Sequence, residues 1–584
     1  MKAGLLLRTL AHLRWEQMVY RPMRIAQKRF YNLSPISSKW TRDLEVKAPS
    51  ARAVERIRAV FVSLPHLNSP LSEYEGRLGD LRDDRFTFLN RTLTLNPLEW
   101  NVRHESHLWN YNLHYFGYAI PCARAYVELG DESALATLER LILGWIAQAK
   151  MGVSDGWDAY PVSLRIVNWI YAYALVAGRG GDGRFLAKWS ASIYRQLDFL
   201  SRQIEYQLLA NHVIKNAKAL VIGGLMLAHP VWLSQGKKLL WRELEEQVLA
   251  DGGHCERAPM YHALALADFL ECLMLLKALD HIDEKRSQNM AIKLARMAEF
   301  LAAMSYPDGT IALFNDSANT EESRPKPLLA SVAVAQDHVG ANSVLTFPET
   351  GYFLWADKNG SERIVVDAGP PSVDYNAAHA HCDLLSYELW LGGRPFVVDS
   401  GVHGYEGDRF REYARSTRAH NTVLFDGREQ SEVWGTFRMA RRAEVVSAEA
   451  VGDGDAWRFR GSYSPYFNRR LVHERRIERT REGEWVVSDC ARGGVARVAE
   501  SFIHLHPDVR ARKLDVLKIE CESSSARVII EPFGAESVEV ITGADEPAQG
   551  WYFPDFGIAR PSSTICMRSQ VREGEEFGYR IRRE

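Results

Sequence analysis

The chain contains few cysteines and no paired-cysteine motif. Its 584 residues include seven cysteines, an odd number, and they are dispersed at positions Cys122, Cys255, Cys272, Cys382, Cys490, Cys521 and Cys566. Disulfide-stabilised domains are short and regularly spaced in cysteine, and zinc fingers place cysteines about two to four residues apart. Neither pattern is present, so we expect no disulfide framework and no zinc finger.

The chain also lacks a long apolar run. The best candidate, residues 219–228, is short and directly follows Lys218, whereas a membrane-spanning helix needs ~20 apolar residues. Near the N-terminus Leu5-Leu6-Leu7 is interrupted by Arg8, so no apolar segment of signal-peptide length is present. We therefore expect no transmembrane segment and a cytoplasmic protein, with the periplasm as the alternative.

Charge of one sign is missing as well. The formal net charge is −2, with 25% charged and 46% hydrophobic residues, which gives no overall attraction to nucleic acid or to a membrane. Aromatic residues are plentiful, with 16 Trp, 23 Tyr and 23 Phe, and flat aromatic faces pack well against sugar rings. The composition favours a carbohydrate partner bound at a local site and predicts no nucleic-acid partner. It does not indicate an oligomeric state.

The spacing of apolar residues changes once along the chain. From about Pro49 to Ala303 apolar residues recur at helical spacing, and after Tyr306-Pro307-Asp308-Gly309 short β-rich runs follow, as in residues 352–355 and 363–366. We predict a basic helical extension over residues 1–48, antiparallel helix pairs over 49–330 and an antiparallel β-sandwich over 331–584. The chain is thus expected to be a multidomain α+β protein.

Imidazoles and carboxylates cluster in the second half. If residues 379–391 formed one strand, His379, His381 and Asp383 would share a face, and the turn Gly392-Gly393 would lead into a second strand ending at Asp399. His420 opens a third strand-like run. These strands could bring together His381, Asp399 and His420, whose two nitrogens and one carboxylate oxygen suit zinc.

The first half holds other polar groups. Asn211-His212 stands at the head of a predicted helix, where Asn is also a good N-cap. Tyr261 begins another helix, and its phenol is a potential general acid or base. The loop before Tyr261 could surround a ligand with His254, Glu256 and Arg257. Aromatic and basic side chains suited to an acidic sugar are found at Trp109, Tyr160, Arg165 and Trp169.

Taken in order, these segments resemble the successive signatures of the heparinase II/III-like polysaccharide lyases over nearly the whole chain. The segments are residues 109–116, 160–169, 211–225, 251–262, 379–383, 397–401 and 416–422. The resemblance implies an N-terminal (α/α) toroid of helical hairpins, a C-terminal antiparallel β-sandwich and an active cleft between them. It also implies β-elimination on an acidic polysaccharide or oligosaccharide that contains uronic acid.

The resemblance further implies roles for individual residues. Asn211, or the adjacent His212, would neutralise the uronate carboxylate. Tyr261 and His379 resemble the family's proton-transfer pair, and His381, Asp399 and His420 resemble the ligands of one structural zinc ion found in some members. Trp109, Tyr160, Arg165 and Trp169 are then expected to extend the cleft as sugar-binding walls.

Two other functions compete with a lyase. One is a catalytically weak glycan-binding or polysaccharide-assembly protein of the same fold, and the other is a zinc-dependent glycan hydrolase. A lyase leaves a double bond between C4 and C5 conjugated to the carboxylate, hydrolysis adds water, and binding alone yields no product. One ultraviolet absorbance assay with product sizing separates the three.

Overall fold

The computed structural model describes residues 2–33, 48–102, 105–332, 344–494 and 497–584. Two helices precede a helical domain, and a domain of antiparallel sheets follows. The helices are α1 (Lys2–Leu10), α2 (Trp15–Leu33), α3 (Ala51–Ser63), α4 (Glu75–Arg82), α5 (His107–Tyr115), α6 (Ala119–Leu129), α7 (Glu132–Gln148), α8 (Ala159–Arg179), α9 (Gly183–Ser201), α10 (Asn211–Met226), α11 (Pro230–Gln247), α12 (Pro259–Ala278), α13 (Glu284–Ala303), α14 (Pro325–Val332) and α15 (Arg409–Ala414).

Helices of the first domain pack as hairpins in two layers. The pairs α6/α7, α8/α9, α10/α11 and α12/α13 each pack together, and their first members α6, α8, α10 and α12 also pack on one another as an inner layer. Inner helices such as α10 and α12 are buried over most of their residues, as expected for helices that are apolar on all sides. The predicted toroid of helical hairpins is confirmed.

Local sequence sets where the helices begin and end. Pro259 starts α12 at a position where its missing N–H costs nothing, and Asp283 caps α13 by accepting a hydrogen bond from the Arg286 backbone N–H. Gly180 ends α8 with a φ of +95°, a conformation that favours glycine. The N-terminal ends of α8, α10 and α12 carry Tyr160, Asn211 and Tyr261.

The second domain is built from antiparallel strands. A five-stranded sheet has the order β3-β4-β5-β6-β7, an eight-stranded sheet the order β11-β12-β13-β14-β25-β18-β17-β16, and a four-stranded sheet the order β19-β24-β15-β8. The strands are β1 (Arg85–Phe88), β2 (Arg91–Thr94), β3 (Leu345–Phe347), β4 (Tyr352–Ala356), β5 (Glu362–Asp367), β6 (Ser386–Leu391), β7 (Arg394–Val397), β8 (Val423–Phe425), β9 (Val433–Trp434), β10 (Arg438–Met439), β11 (Glu444–Asp453), β12 (Ala456–Ser464), β13 (Val472–Arg479), β14 (Trp485–Arg492), β15 (Val498–His504), β16 (Arg510–Lys513), β17 (Ile519–Glu522), β18 (Arg527–Phe533), β19 (Ser537–Thr542), β20 (Ala544–Asp545), β21 (Ala548–Gln549), β22 (Trp551–Tyr552), β23 (Arg560–Pro561), β24 (Ser563–Gln570) and β25 (Glu576–Arg583).

The five-stranded sheet lies between two apolar layers. One of its faces packs on the larger sheet, where Trp355 meets Trp485 edge to face at 5.8 Å between ring centroids. Its other face packs on the end of α13, where Phe300 meets Phe347 at 4.9 Å. This explains why strands β4, β5 and β6 are buried at every residue, a pattern more usual for parallel sheets. The predicted antiparallel sandwich is confirmed.

Helices α1 and α2 lie across the junction of the two domains. The Arg8 guanidinium binds the Glu432 carboxylate in the sandwich domain at 2.7 Å. Gln17 of α2 donates a hydrogen bond to the backbone carbonyl of Tyr375 at 3.2 Å, and Lys28 binds Asp158 of the toroid at 2.9 Å. The predicted N-terminal extension is therefore helical in residues 2–33 and packed against both domains, whereas residues 34–47 are outside the described part.

Within the described residues one helix, α12, is long and apolar enough to cross a bilayer, and 83% of that segment is buried inside the protein. It belongs to the inner layer of the toroid. All seven cysteines lie in the described parts of the chain and are free thiols, in agreement with the dispersed spacing.

Candidate active site

Tyr261 and His379 come from different domains and meet at the junction. Their rings lie 4.0 Å apart between centroids. The Tyr261 hydroxyl is hydrogen-bonded to the Tyr405 hydroxyl at 2.9 Å. Burial, together with the neighbouring phenols of Tyr405 and Tyr160, raises the pKa of Tyr261 well above its usual value. Two groups capable of proton transfer are therefore in contact, and the phenol keeps its proton in the free protein.

Asp316 holds His379 in place. Its carboxylate lies 2.8 Å from Nδ1 of His379, and the Arg411 guanidinium binds the same carboxylate with two nitrogens. Although burial opposes ionisation, Arg411 and the histidine contacts hold the pKa of Asp316 well below its usual range. An ionised Asp316 accepts a hydrogen bond from Nδ1–H, which leaves Nε2 of His379 as the nitrogen that can meet a substrate.

Asn211 is oriented by Glu256. The Nδ2 atom of Asn211 lies 2.9 Å and 3.0 Å from the two carboxylate oxygens of Glu256. Because a carboxylate only accepts, this contact fixes which end of the amide is the nitrogen. Asn211 is the first residue of α10, and Ala210 occupies the N-cap position. Asn211 is therefore not the N-cap residue of this helix.

His212 faces Tyr160 and Glu205. Its ring lies 4.6 Å from that of Tyr160, and Nδ1 lies 3.2 Å from a Glu205 carboxylate oxygen. Although burial opposes it, Glu205 raises the pKa of His212 above its ordinary value. Positive charge is therefore favoured on His212, next to Asn211.

Backbone strain marks the turns that deliver these residues. Leu209 and Ala210, just before Asn211, have φ of +65° and +50°, and Asn315, just before Asp316, has φ of +58°. Ala210 combines its φ with a ψ of −140°, a region that residues with a Cβ rarely adopt. Surrounding packing must hold these turns, which is common where side chains are positioned for function.

A group of potential metal-ligand atoms lies on and near the loop that carries His379. Ligand atoms of His381, Asp383 and His420 all lie within 4.8 Å of one another, and all three residues are buried. His381 Nδ1 and His420 Nε2 are buried without a hydrogen-bond partner among the described residues. Two orphaned imidazole nitrogens beside a carboxylate fit a cation such as zinc.

Asp399 differs from the predicted ligand set. It is outside this group of three donors, and its carboxylate instead lies 2.8 Å from His420 Nδ1. That contact turns Nε2 of His420 toward His381 and Asp383, as carboxylates behind metal-binding histidines do. The predicted strand is also wrong in its first part, because residues 379–385 form a loop and β6 begins at Ser386. A loop can bring His381 and Asp383 together without strand alternation.

Three of the predicted cleft walls are core residues instead. Trp109, Arg165 and Trp169 are at most 1% exposed. The Arg165 guanidinium donates to the carbonyls of His114 and Gly156 at 3.0 and 2.8 Å, and it lies 3.9 Å from the Trp145 ring centroid. Their prediction as sugar-binding residues is wrong because the toroid core uses the same residue types. Tyr160 is half-buried beside His212.

The loop before Tyr261 contacts Asn211 and the second domain. His254 is buried, with Nε2 2.9 Å from the Gln247 side-chain oxygen, and Glu256 is buried against Asn211. Arg257 donates to the carbonyls of Thr350 and Glu349 in the second domain. Glu256 therefore positions Asn211 and Arg257 joins the two domains, while His254 and Glu256 are buried and Arg257 is partly exposed. The prediction of these three residues as substrate contacts stays a prediction.

The sequence reasoning missed Asp316, Arg411 and Tyr405. Asp316 follows an apolar run, and Arg411 belongs to a short helix rich in arginine, so neither has a distinctive spacing. Only tertiary contact distinguishes them. The structural signal is Arg411, which is 2% exposed. A buried guanidinium requires a charged or polar partner, which leads to Asp316.

Comparison with known families identifies the chain. Residues 83–335 match the model described as the heparinase II/III N-terminus, and residues 340–580 match the heparinase II/III-like C-terminal model. The chain belongs to the heparinase II/III-like family. The resemblance inferred from the motifs is thereby confirmed.

Relatives and solved structures agree with this assignment. A heparin-sulfate lyase of Pedobacter heparinus is 26% identical over 367 residues, which cover 57% of this chain and 54% of that protein. A heparin-sulfate lyase of Bacteroides thetaiotaomicron is 25% identical over 62% of this chain and 60% of its own length. The chain thus spans less than two thirds of these relatives. FtsZ-localized protein C of Caulobacter vibrioides is 25% identical over 494 residues, 78% of each chain.

The fold is shared with polysaccharide lyases of known structure. The crystal structure of heparinase III superposes with a TM-score of 0.69 at 18% identity, covering 96% of this chain and 88% of that one. Chondroitin AC lyase of Streptomyces coelicolor A3 gives a TM-score of 0.55 at 11% identity, covering 91% and 83%.

Proposed function

We propose that the protein is a polysaccharide lyase that cleaves a uronic-acid-containing polysaccharide by β-elimination. The observation that carries the proposal is the contact between Tyr261 and His379, together with Tyr160, which is an electrostatic neighbour of Tyr261 and packs on His212. Family membership and the names of the heparin-sulfate lyase relatives support it.

Removal of the weakly acidic C5 proton requires neutralisation of the adjacent carboxylate. An Asn211 N–H that is not used by Glu256 donates to the uronate carboxylate, and a cationic His212 adds charge beside it. The N-terminal ends of α8, α10 and α12, which carry Tyr160, Asn211 and Tyr261, contribute partial positive charge. The site is therefore electrostatically suited to an anionic sugar.

His379 and Tyr261 divide the proton transfers. Nε2 of His379 takes the C5 proton, and the electron pair of the C5–H bond forms the C4–C5 double bond as the C4–O4 bond breaks. The Tyr261 hydroxyl, protonated because burial raises its pKa, gives its proton to the departing O4. Return of the proton from His379 to Tyr261, whose rings are 4.0 Å apart, restores both groups.

An ultraviolet assay over a panel of acidic polysaccharides tests the proposal. A lyase produces chains ending in an unsaturated uronate, so absorbance rises as the polymer shortens. If reducing ends appear without this absorbance, the protein is a hydrolase. Binding without any new chain end would identify a glycan-binding protein and overturn the proposed activity.

We also propose that one zinc ion binds at His381, Asp383 and His420, with Asp399 orienting His420. A bound zinc would stabilise the loop of residues 379–385 that carries His379. The orphaned nitrogens of His381 and His420 support the site. The ion is structural in this proposal, and no proton transfer depends on it.

Metal analysis of untagged protein distinguishes the ligands. We expect about one zinc per chain in the unmodified protein and none in His381→Ala, His420→Ala or Asp383→Asn, whereas Asp399→Asn keeps the site with roughly 10- to 100-fold weaker affinity. His107→Ala is the matched control, because His107 belongs to another His/Asp group, with Asp155 and Asp158. If Asp399→Asn removes the metal and Asp383→Asn keeps it, Asp399 is the ligand. Metal-free unmodified protein would refute the site.

A further inference from the structure

Helix α2 has its apolar face turned away from the protein. Trp15 is 64% exposed, Val19 53% and Ile25 58%. At 3.6 residues per turn, the exposed apolar residues occupy an arc of about 160° around the helix. These residues are Trp15, Met18, Val19, Pro22, Met23, Ile25 and Ala26. Leu6 and Leu7 of α1 are also exposed, at 46% and 68%.

The polar side of α2 is the one that packs on the protein. Gln17 is 1% exposed and donates to the Tyr375 carbonyl, and Tyr20 packs on Tyr206 with ring centroids 5.0 Å apart. Arg24 donates to the carbonyl of Ile204 at 2.9 Å. Surface helices of globular proteins show the opposite arrangement, with apolar residues inward. Among the described residues, α2 packs on the protein through its polar side, so the exposed apolar residues from Trp15 to Ala26 are available to another partner.

Charge on this segment identifies the partner. Residues 4–30 contain six basic residues, Arg8, Arg14, Arg21, Arg24, Lys28 and Arg29, and one acidic residue, Glu16. Arg8, Arg14 and Lys28 are paired with carboxylates elsewhere in the protein, whereas Arg21 and Arg29 are exposed on α2. Arg29 is exposed within the apolar arc. A second copy of the chain would bring like charges together. A helix with exposed arginines and an exposed apolar face that includes Trp15 and Ile25 is suited to the interface of an anionic bilayer.

We propose that α1 and the apolar face of α2 dock the protein on an anionic membrane surface. The apolar side chains enter the boundary between headgroups and acyl chains while the exposed Arg21 and Arg29 meet anionic headgroups. Arg21 of α2 also donates a hydrogen bond to the backbone carbonyl of Gln207 at 3.2 Å. Gln207 is four residues before Asn211 in the chain. Docking would hold the candidate site close to the bilayer surface.

Vesicle co-sedimentation of the full chain tests this proposal independently of lyase activity. We expect the protein to pellet with vesicles of phosphatidylcholine and phosphatidylglycerol in equal amounts, and not with phosphatidylcholine alone. The triple variant Trp15→Ser, Met18→Ser, Val19→Ser should lower the partition coefficient by at least about tenfold, since each residue adds buried apolar area. Arg29→Glu should weaken binding to the anionic vesicles.

A matched triple variant controls for loss of exposed apolar residues in general. Val62, Val451 and Val516 are 62%, 61% and 70% exposed and belong to other elements, α3, β11 and the turn between β16 and β17, so Val62→Ser, Val451→Ser, Val516→Ser should bind vesicles like the unmodified protein. Unchanged melting temperatures show that both variants are folded. Equal binding to neutral vesicles, no binding at all, or full binding by the α2 variant would overturn the proposal. So would a dimer that this variant dissociates without any vesicle binding.

Discussion

Replacement of Tyr261 by phenylalanine is expected to lower kcat by about 10²- to 10⁴-fold while leaving polysaccharide affinity nearly unchanged. The variant loses only the hydroxyl, and the ring still packs 4.0 Å from His379. Burial raises the pKa of the phenol, so its proton is available for the departing O4. Initial rates of ultraviolet absorbance measure kcat, and calorimetric titration with a non-cleaved oligosaccharide measures affinity.

A second buried tyrosine pair supplies the control for this variant. Inside the sandwich the hydroxyls of Tyr387 and Tyr579 are hydrogen-bonded at 2.7 Å, much as Tyr261 and Tyr405 are at 2.9 Å. Tyr387→Phe should therefore have a similar effect on stability and little effect on kcat. If Tyr261→Phe keeps kcat near that of the unmodified protein, Tyr261 is not part of the mechanism.

The leaving group distinguishes the acid from the base. A substrate with an activated aryl leaving group at C4 departs without protonation, so Tyr261→Phe should regain most of its rate on it. His379→Ala should remain slow, because C5 deprotonation is still required. Rescue of His379→Ala with no rescue of Tyr261→Phe would reverse the two roles.

Motif order predicted the pairing of Tyr261 with His379, which no local pattern could have established. The two residues are 118 positions apart and lie in different domains, and the family resemblance supplied the link. The two-domain fold followed from the change in apolar spacing near Tyr306. The helix-pair and sandwich predictions succeeded because periodicity over long segments reports which face is buried.

Burial of single side chains was harder to predict. Trp109, Arg165 and Trp169 have the residue types of a sugar site, and the structure buries them because the toroid core needs large side chains. The predicted metal set differs at Asp399 from the donor group His381, Asp383 and His420 for a related reason. Residues 379–385 form a loop, so strand alternation does not decide which carboxylate faces His381. Both the burial of these side chains and the choice of the carboxylate near His381 depend on contacts between segments that are distant in the sequence.

Asp316 was not predicted at all, although it contacts more of the site than any predicted residue does. Its two carboxylate oxygens reach His379 Nδ1 and His381 Nε2 at 2.8 Å each, and Arg411 binds both oxygens. It is thus the link between the proton-transfer pair and the proposed zinc site. As a positioning residue it keeps the His379 tautomer with Nε2 free.

Asp316→Asn is expected to lower kcat by about 10³- to 10⁴-fold, because an amide at this position no longer selects the required His379 tautomer. It also leaves Arg411 as an uncompensated buried charge, which costs about 3–5 kcal/mol of unfolding free energy. Rates must therefore be expressed per folded molecule, with the folded fraction taken from near-ultraviolet circular dichroism.

A second buried aspartate, Asp489, is also paired with a histidine and an arginine, and it separates the effect on kcat from the effect on stability. Asp489 binds His473 at 2.7 Å and Arg475 at 2.8 Å inside the sandwich. Asp489→Asn should lose similar stability and keep kcat within a few-fold. In the His379→Ala background Asp316→Asn should reduce kcat little further, because residues acting as a unit are not additive. Full additivity of the two changes, or an equal kcat loss in Asp489→Asn, would show that Asp316 acts only on stability.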